Sequence, residues 1–345
     1  MKPISLGFCT FIAVANSYAG TAPELCAAFG DDVARLSCYD AYYSPADSQV
    51  KIDITAENQN EILSQSAIAA TAVETATEPS ESNAQLPLIS RNQQELELAE
   101  KRFSMTPHRP NYILPVTYNA SSDYSVYDPL GESFSDAEIK FQLSIKTLLA
   151  RDLWRGSSIW LGYTQQSYWQ LYADTIASEP FRETNHEPEL IWQIPTEFDV
   201  FGWNARLATI GLNHQSNGRI DPLSRSWNRV TAGLALDKGN FVASVKTWVR
   251  IEEPEGAEDN PNIEDYMGRV QLGLAYQHRD HLFFLGLKNN LSSDNRSGVE
   301  LNWSFPLVYH LKGFVQVYSG YGENLIDMEN DTKRIGIGIA LNDWL

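Results

Sequence analysis

Long apolar runs are missing from this 345-residue chain. Beyond residue 15 nothing approaches the roughly 18 consecutive apolar residues that a membrane-spanning helix needs, so any passage through a bilayer must be made by strands closed into a barrel. Positive charge is scarce too: 26 Lys and Arg stand against 44 Asp and Glu, a formal net charge of −18. Phosphate backbones call for a basic footprint, and this balance argues against a nucleic-acid partner. The Gly-x-Ser-x-Gly elbow of the α/β-hydrolases is absent, which disfavours a soluble esterase of that kind. Only three cysteines occur, Cys9, Cys26 and Cys38.

What is present begins with an export signal. Lys2 precedes the apolar run Ile4–Ala15, and Ser17-Tyr18-Ala19 offers small residues at both positions a signal peptidase reads. Cleavage is expected after Ala19, which makes residues 1–19 a signal peptide and removes Cys9. Cys26 and Cys38 are left as a pair in an oxidising compartment, and a disulfide between them is expected. Residues 20–47 read as a small helical segment carrying that pair. Residues 48–98 are rich in Ala, Thr, Ser, Glu, Gln and Asn and cannot bury enough apolar surface to offset ordering entropy. They read as a flexible linker, with transient helix near Gln94 to Lys101.

From Asn111 onward the chain alternates apolar and polar residues in segments of about ten. In Glu138–Leu148, Ile139, Phe141, Leu143 and Ile145 share one face, while Lys140, Gln142, Ser144 and Lys146 share the other. Twelve such segments fall near 111–119, 138–148, 158–171, 187–196, 203–216, 227–236, 240–251, 265–277, 281–289, 297–305, 309–319 and 333–345. Connections alternate between short (237–239, 279–280, around Pro306) and long and polar (120–137, 172–186, 217–226, 252–264, 320–332), as in outer-membrane barrels. The last segment, RIGIGIALNDWL, puts Ile335, Ile337, Ile339, Leu341 and Leu345 on one face, as a barrel-closing strand would. Nine Trp and sixteen Tyr suit a membrane interface, although soluble β-proteins are aromatic-rich as well. Pattern alone leaves a transmembrane barrel and a β-sandwich open, and favours the barrel.

One segment breaks the oily face. Ala208, Ile210 and Leu212 run directly into His214 and Ser216, and Asn228 shares its face with Val230, Ala232 and Leu234. Polar groups on a lipid-facing wall are costly and are functional candidates by default. A serine hydroxyl needs a base, and histidine suits that task near neutrality. The imidazole in turn needs a partner at its second nitrogen, and Asn228 supplies an acceptor without setting a charge against hydrocarbon. The connecting NGRIDPLSRS adds a Gly218 amide that can meet a developing oxyanion, and hard oxygens from Asp221, Ser224 and loop carbonyls of the type calcium prefers. A silent porin or scaffold barrel is the alternative function.

The segments NHQSNGRIDPLSRSWNR, YTQQSYWQL, EPFRETNHEPEL, DNPNIEDYMG, QVYSGYGENLID and the terminal GIALNDWL, in order over residues 103–345, strongly resemble outer-membrane phospholipase A, a calcium-dependent lipolytic barrel of Gram-negative bacteria. The resemblance implies an all-β fold, a twelve-stranded antiparallel transmembrane barrel over residues 99–345. It implies hydrolysis of the sn-1 and sn-2 acyl esters of phospholipids and lysophospholipids, with activity switched on by reversible homodimerisation. On matching positions Ser216 is the nucleophile, His214 the base, Asn228 the orienting amide and Gly218 the oxyanion amide. One calcium ion per active site of the dimer would take the backbone oxygen of Arg219, the hydroxyl of Ser224 and Ser178 of the second subunit. A monomer-state calcium position maps to Asp221 and Asp259, and Gln165 to the dimer interface. The outer membrane is the implied location, with the site facing the outer leaflet and the N-terminal extension in the periplasm. The chain departs from the pattern in the Cys26–Cys38 segment, in the long linker, and in Leu345, where an aromatic residue is usual.

Overall fold

The computed structural model describes residues 87–99, 101, 104–130, 134–173, 181–254, 260–309 and 311–345. The expected signal peptide, the Cys26–Cys38 pair and residues 48–86 of the expected linker lie outside the described residues, as do Ser178 and Asp259. Twelve long strands form the barrel: β1 (Asn111–Asn119), β2 (Ala137–Ala150), β3 (Ser158–Trp169), β4 (Phe181–Val200), β5 (Trp203–Ser216), β6 (Ser226–Lys238), β7 (Phe241–Ile251), β8 (Val270–His278), β9 (His281–Asn289), β10 (Ser297–Val308), β11 (Leu311–Gly320) and β12 (Thr332–Asn342). Each pairs antiparallel with its neighbours in sequence, and β12 returns to β1 with Ile335 opposite Tyr118. That closure satisfies the backbone groups an open sheet would leave unpaired in lipid, and it excludes the sandwich.

The two faces differ as the alternation requires. Leu143, Leu161, Leu212, Val230, Val249 and Ile337 are exposed on the outer wall, an apolar girdle that a soluble protein would not carry. The inward residues are charged and buried. Arg182 binds Glu138 at 3.0 Å and Asp327 at 2.7 Å, and Arg334 bridges Glu138 at 2.8 Å and Glu323 at 3.0 Å. Nearby Lys140 meets Glu323 at 2.9 Å. Glu138 is fully buried, so its charge is tolerable only because two guanidiniums and Gln170 saturate its oxygens. Further down, Arg109 reaches Glu187 at 2.7 Å and Glu189 at 2.8 Å. A cavity of about 120 Å³ remains between these layers, lined among others by Lys140, Glu187, Arg229, Lys246 and Glu300. A second cavity of about 240 Å³, lined among others by Arg109, Glu189, Lys246 and Trp344, lies in the lumen toward the tight-turn end, so the ion pairs leave the interior as pockets between layers of side chains.

Hairpins at one end are tight. Phe201 and Gly202 both take positive φ, 53° and 79°, which matches the primed turns that follow the twist of paired strands. The opposite end carries the long connections, 217–225 among them.

Four expectations need correction. β4 starts at Phe181, inside the expected long connection 172–186, because Phe181 to Glu187 pair with Trp169 to Thr164 of β3. The last residues of the expected flexible linker form a helix, α1 (Pro87–Ala99). Its composition is poor in apolar residues, and tertiary contacts hold it at the tight-turn end: Arg91 donates to the carbonyls of Trp344 and His108, and Glu95 pairs with Lys146 at 2.6 Å. The segment expected as strand from residue 265 starts as a short helix, α2 (Ile263–Met267), because Ile263 and Met267 pack with Trp227, Trp248, Leu325 and Met328. Finally, β12 stops at Asn342, and Leu345 does not continue its outward row. Trp344 stacks on Phe284 (4.5 Å between centroids, 22°), and Leu345 packs against the Val242, Ala275, Leu282 and Phe284 cluster.

Candidate active site

The site grows from the long-loop ends of β4, β5 and β6. Alternation along β5 turns His214 and Ser216 to the same outward face, and the β5–β6 register sets His214 opposite Asn228. Their side chains meet there, His214 Nδ1 to Asn228 Oδ1, at 2.8 Å. Asn228 Nδ2 in turn donates to Glu253 Oε1 at 3.2 Å. This second contact decides the chemistry of the first. An ionised carboxylate only accepts, so it holds the NH2 end of the amide and turns Oδ1 toward the imidazole. Nδ1 must then carry the ring hydrogen, and Nε2 is left as a bare acceptor, the form a general base needs.

The wall beneath is rigid. On the inner face of the same two strands Arg229 donates to Asn213 and to Glu187 Oε1, lies 4.0 Å from the centre of the Trp227 ring and is buried. Trp227 donates to Gln215 Oε1 at 2.9 Å. The outward side chains thus stand on backbone that cannot shift without breaking buried hydrogen bonds.

The 217–225 loop is stapled by buried Asn217. Its Oδ1 accepts from the amides of Arg219 at 3.3 Å and Arg225 at 3.0 Å, and its Nδ2 donates to the Leu223 carbonyl at 2.9 Å. Gly218 has φ +65°, a left-handed conformation that glycine adopts at little cost. Arg219 turns its guanidinium back onto the carbonyls of Phe181 at 3.2 Å and Arg182 at 2.5 Å. Arg225 bonds the carbonyls of Pro222 at 3.0 Å and Ser224 at 2.7 Å. The loop packs on its neighbour through Leu223 and Tyr127. Burial pushes the Tyr127 phenol above its ordinary range, and its hydroxyl donates to the Arg182 carbonyl at 3.0 Å.

Asp221 is exposed, and no group of three His, Cys, Asp or Glu able to hold a metal occurs among the described residues. The loop offers backbone carbonyls, the Ser224 hydroxyl and the Asp221 carboxylate, hard oxygens of the type calcium accepts. Gln165 lies outward on β3, opposite Leu143 and His186. Its amide is not unpaired, as an isolated lipid-facing amide would be. Its Nε2 donates to Ser167 Oγ at 3.1 Å, and its Oε1 lies 3.3 Å from the hydroxyl of Tyr163.

Two residues of this neighbourhood escape a reading of motifs. Glu253 lies two positions beyond Ile251, the register partner of Asn228, so period-2 counting past the strand end would have put it on the same face. His186 is the direct cross-strand partner of Ser216, and only the pairing register reveals it.

The sequence profile described as phospholipase A1 matches residues 88–341. The chain belongs to the phospholipase A1 family. Within that family the phospholipase A1 of Proteus vulgaris is 42% identical over 250 residues, 70% of this chain and 82% of its own. The outer membrane phospholipase of Salmonella typhi, solved as a dimer with bound calcium, is 37% identical with a TM-score of 0.66, over 72% of this chain and 96% of that one. An active-site mutant of Escherichia coli outer membrane phospholipase A, with an asparagine replaced by alanine, is 36% identical with a TM-score of 0.66, over 72% and 97%. The profile match runs from within α1 to within β12.

Proposed function

We propose that this chain is a calcium-dependent outer-membrane phospholipase that cleaves the sn-1 and sn-2 acyl esters of phospholipids and lysophospholipids as a reversible homodimer. The observation that carries it is the His214–Asn228 contact at 2.8 Å beside Ser216 on the outward face of a membrane barrel. Soluble substrates do not reach such a wall, whereas acyl chains lie against it. The Asn-to-Ala active-site mutant among the relatives and the calcium-bound dimer of another support the assignment.

In the mechanism, Ser216 Oγ attacks the ester carbonyl while His214 Nε2 takes its proton. Asn228 Oδ1 accepts the Nδ1 hydrogen and steadies the imidazolium without bringing a carboxylate to the lipid. The oxyanion forms at the corner of the Gly218 amide. Collapse expels the glycerol alkoxide, which takes the proton back from His214 and leaves an acyl-serine. Water, deprotonated by the same imidazole, releases the fatty acid and restores Ser216. Arg219 through its carbonyl, Ser224 through its hydroxyl and Ser178 from the second subunit would hold the calcium ion, which when bound supplies positive charge beside the developing oxyanion. Asp221 with Asp259 forms the proposed monomer-state position, and Gln165 the polar centre of the dimer contact. The site faces the outer leaflet, and the N-terminal extension lies in the periplasm.

The porin alternative requires an open lumen, and the ion pairs of the interior divide it into pockets. The deciding experiment is hydrolysis of a phospholipid in detergent micelles, with calcium and with a chelator. Calcium-stimulated release of fatty acid is expected, and Ser216→Ala should abolish it while the heat-modifiable gel mobility of a folded barrel is kept. Calcium-independent turnover, no turnover, or full activity of the Ser216→Ala variant sinks the proposal.

A further inference from the structure

Ser216 has a second imidazole neighbour that the mechanism above leaves idle. His186 on β4 faces Ser216 directly across the β4–β5 pair, and both side chains stand on the outward face. On its far side His186 Nδ1 lies 2.7 Å from the hydroxyl of Tyr163, whose ring is stacked beside it at 6.2 Å and 26°. The ring edge turned the other way is the Cδ2 edge, 3.9 Å from where a Cβ would stand on Gly218. Cδ2 is bonded to Nε2, so the second ring nitrogen lies on the edge that faces the oxyanion corner.

The tautomer follows from the partner. A phenol has one proton to give, and Tyr163 has two acceptors within reach. Gln165 Oε1 is at 3.3 Å and the imidazole nitrogen at 2.7 Å, and the nearer is also the more basic. Given that proton, Nδ1 is an acceptor and Nε2 carries the ring hydrogen. The two histidines beside Ser216 are then set to opposite tasks: Asn228 leaves His214 Nε2 bare, and Tyr163 leaves His186 Nε2 protonated.

We infer that His186 is a further catalytic residue, an Nε2–H donor to the scissile carbonyl oxygen as it takes negative charge, with Tyr163 the positioning residue that sets its tautomer. This rests on Ser216 being the nucleophile. No proton is transferred: the hydrogen bond tightens as the carbonyl becomes an oxyanion and relaxes when the carbonyl reforms.

The test measures kcat and KM of the full chain in calcium-containing micelles, on a diacyl phospholipid and on a phosphate-free p-nitrophenyl ester of a long fatty acid. His186→Phe should lower kcat on the order of a hundredfold to a thousandfold on both substrates, the range expected for loss of one oxyanion donor, with KM nearly unchanged. His186→Gln, whose amide can donate, should regain part of the loss. Tyr163→Phe should cost less than His186→Phe, and the double variant no more than His186→Phe alone, as coupled residues require. Gel mobility and chemical cross-linking monitor folding and dimer formation. Unchanged kcat in His186→Phe overturns the inference. So does a rise in KM confined to the phospholipid, which would make His186 a phosphate contact, or a loss matched by lost cross-linking, which would make it a dimer contact. Wild-type inactivity on both esters, or an active Ser216→Ala variant, instead removes the nucleophile assignment on which the inference stands.

Discussion

Replacing Glu253 tests the chain of hydrogen bonds behind His214 at its far end, on a residue that touches neither the proposed nucleophile nor the proposed base. Its carboxylate accepts from Asn228 Nδ2 at 3.2 Å, and Asn228 Oδ1 accepts from His214 at 2.8 Å. Glu253→Ala removes two effects. The first is the bias that keeps the Asn228 amide from flipping its NH2 toward His214. A hydrogen bond to a buried charge contributes about 1.5–3 kcal/mol, and at this half-buried rim about 1 kcal/mol is a fair discount. The second is the negative charge two hydrogen bonds away from the imidazolium. At a separation of about 8 Å and an effective dielectric of about 40, that charge contributes about 1 kcal/mol. Together they set a loss of about 2 kcal/mol, or roughly thirtyfold in kcat, with KM nearly unchanged because Glu253 stands behind Asn228. Glu253→Gln keeps an acceptor and removes only the charge, so it should lose about fivefold. The assay is initial-rate hydrolysis of a micellar phospholipid at saturating calcium. Glu253→Ala turnover within about twofold of the parent would refute the relay, and equal losses in the two variants would refute the division into orientation and charge.

Two further outcomes concern the barrel itself. Glu138→Leu leaves the guanidiniums of Arg182 and Arg334 without their shared buried partner. It should destabilise the barrel by about 3–5 kcal/mol, read as a lower temperature for loss of folded gel mobility; a cost under about 1 kcal/mol would contradict the pairing. Glu323, in the loop between β11 and β12, gives a pH dependence: burial pushes its carboxyl up, but Arg334 and Lys140 outweigh that and hold it at about 2 against an ordinary value of 4.5. A carboxylate depressed in the folded state adds stability that is fully present above its unfolded value and is lost as pH falls through the folded one. Thermal stability should therefore decline between about pH 4.5 and 2, and less so in Glu323→Gln; equal decline in both would rule Glu323 out as the source.

The barrel was legible because its period is local. Lys140, Ser144 and Lys146 alternate with Leu143 and Ile145 whatever the rest of the chain does, and the polar set went inside because lipid leaves it nowhere else. Helix α2 was not legible and α1 only in its last turns, near Gln94, since neither has an apolar stripe long enough to announce itself. Ile263 and Met267 become core only because Trp227, Trp248 and Leu325 converge on them from other strands and loops, and α1 is held by Arg91 and Glu95 reaching partners far along the chain. Of the candidate site, the His214/Ser216 spacing could be read directly, because residues two apart on a strand share a face. The partnership of His186 with Ser216 could not. It depends on the exact pairing of β4 with β5, and a one-residue slip would turn His186 inward.

Glu253 also refines why the third member of the site is an amide. A carboxylate at position 228 would orient the imidazole more strongly, but it would have to be desolvated against acyl chains, at a cost of several kcal/mol. The structure places that charge one residue further out, in the rim loop beyond β7, and lets Asn228 stand between. The amide passes on both effects of the carboxylate: its NH2 is fixed by Glu253, and its oxygen, polarised by that contact, faces His214. The arrangement divides a task usually given to one aspartate between a neutral group that can lie beside lipid and a charged one that stays near water. Under the proposed triad, it accounts for a histidine base on the outer wall of a barrel that keeps the buried charges of Arg182, Glu138, Glu187 and Arg229 on its inside.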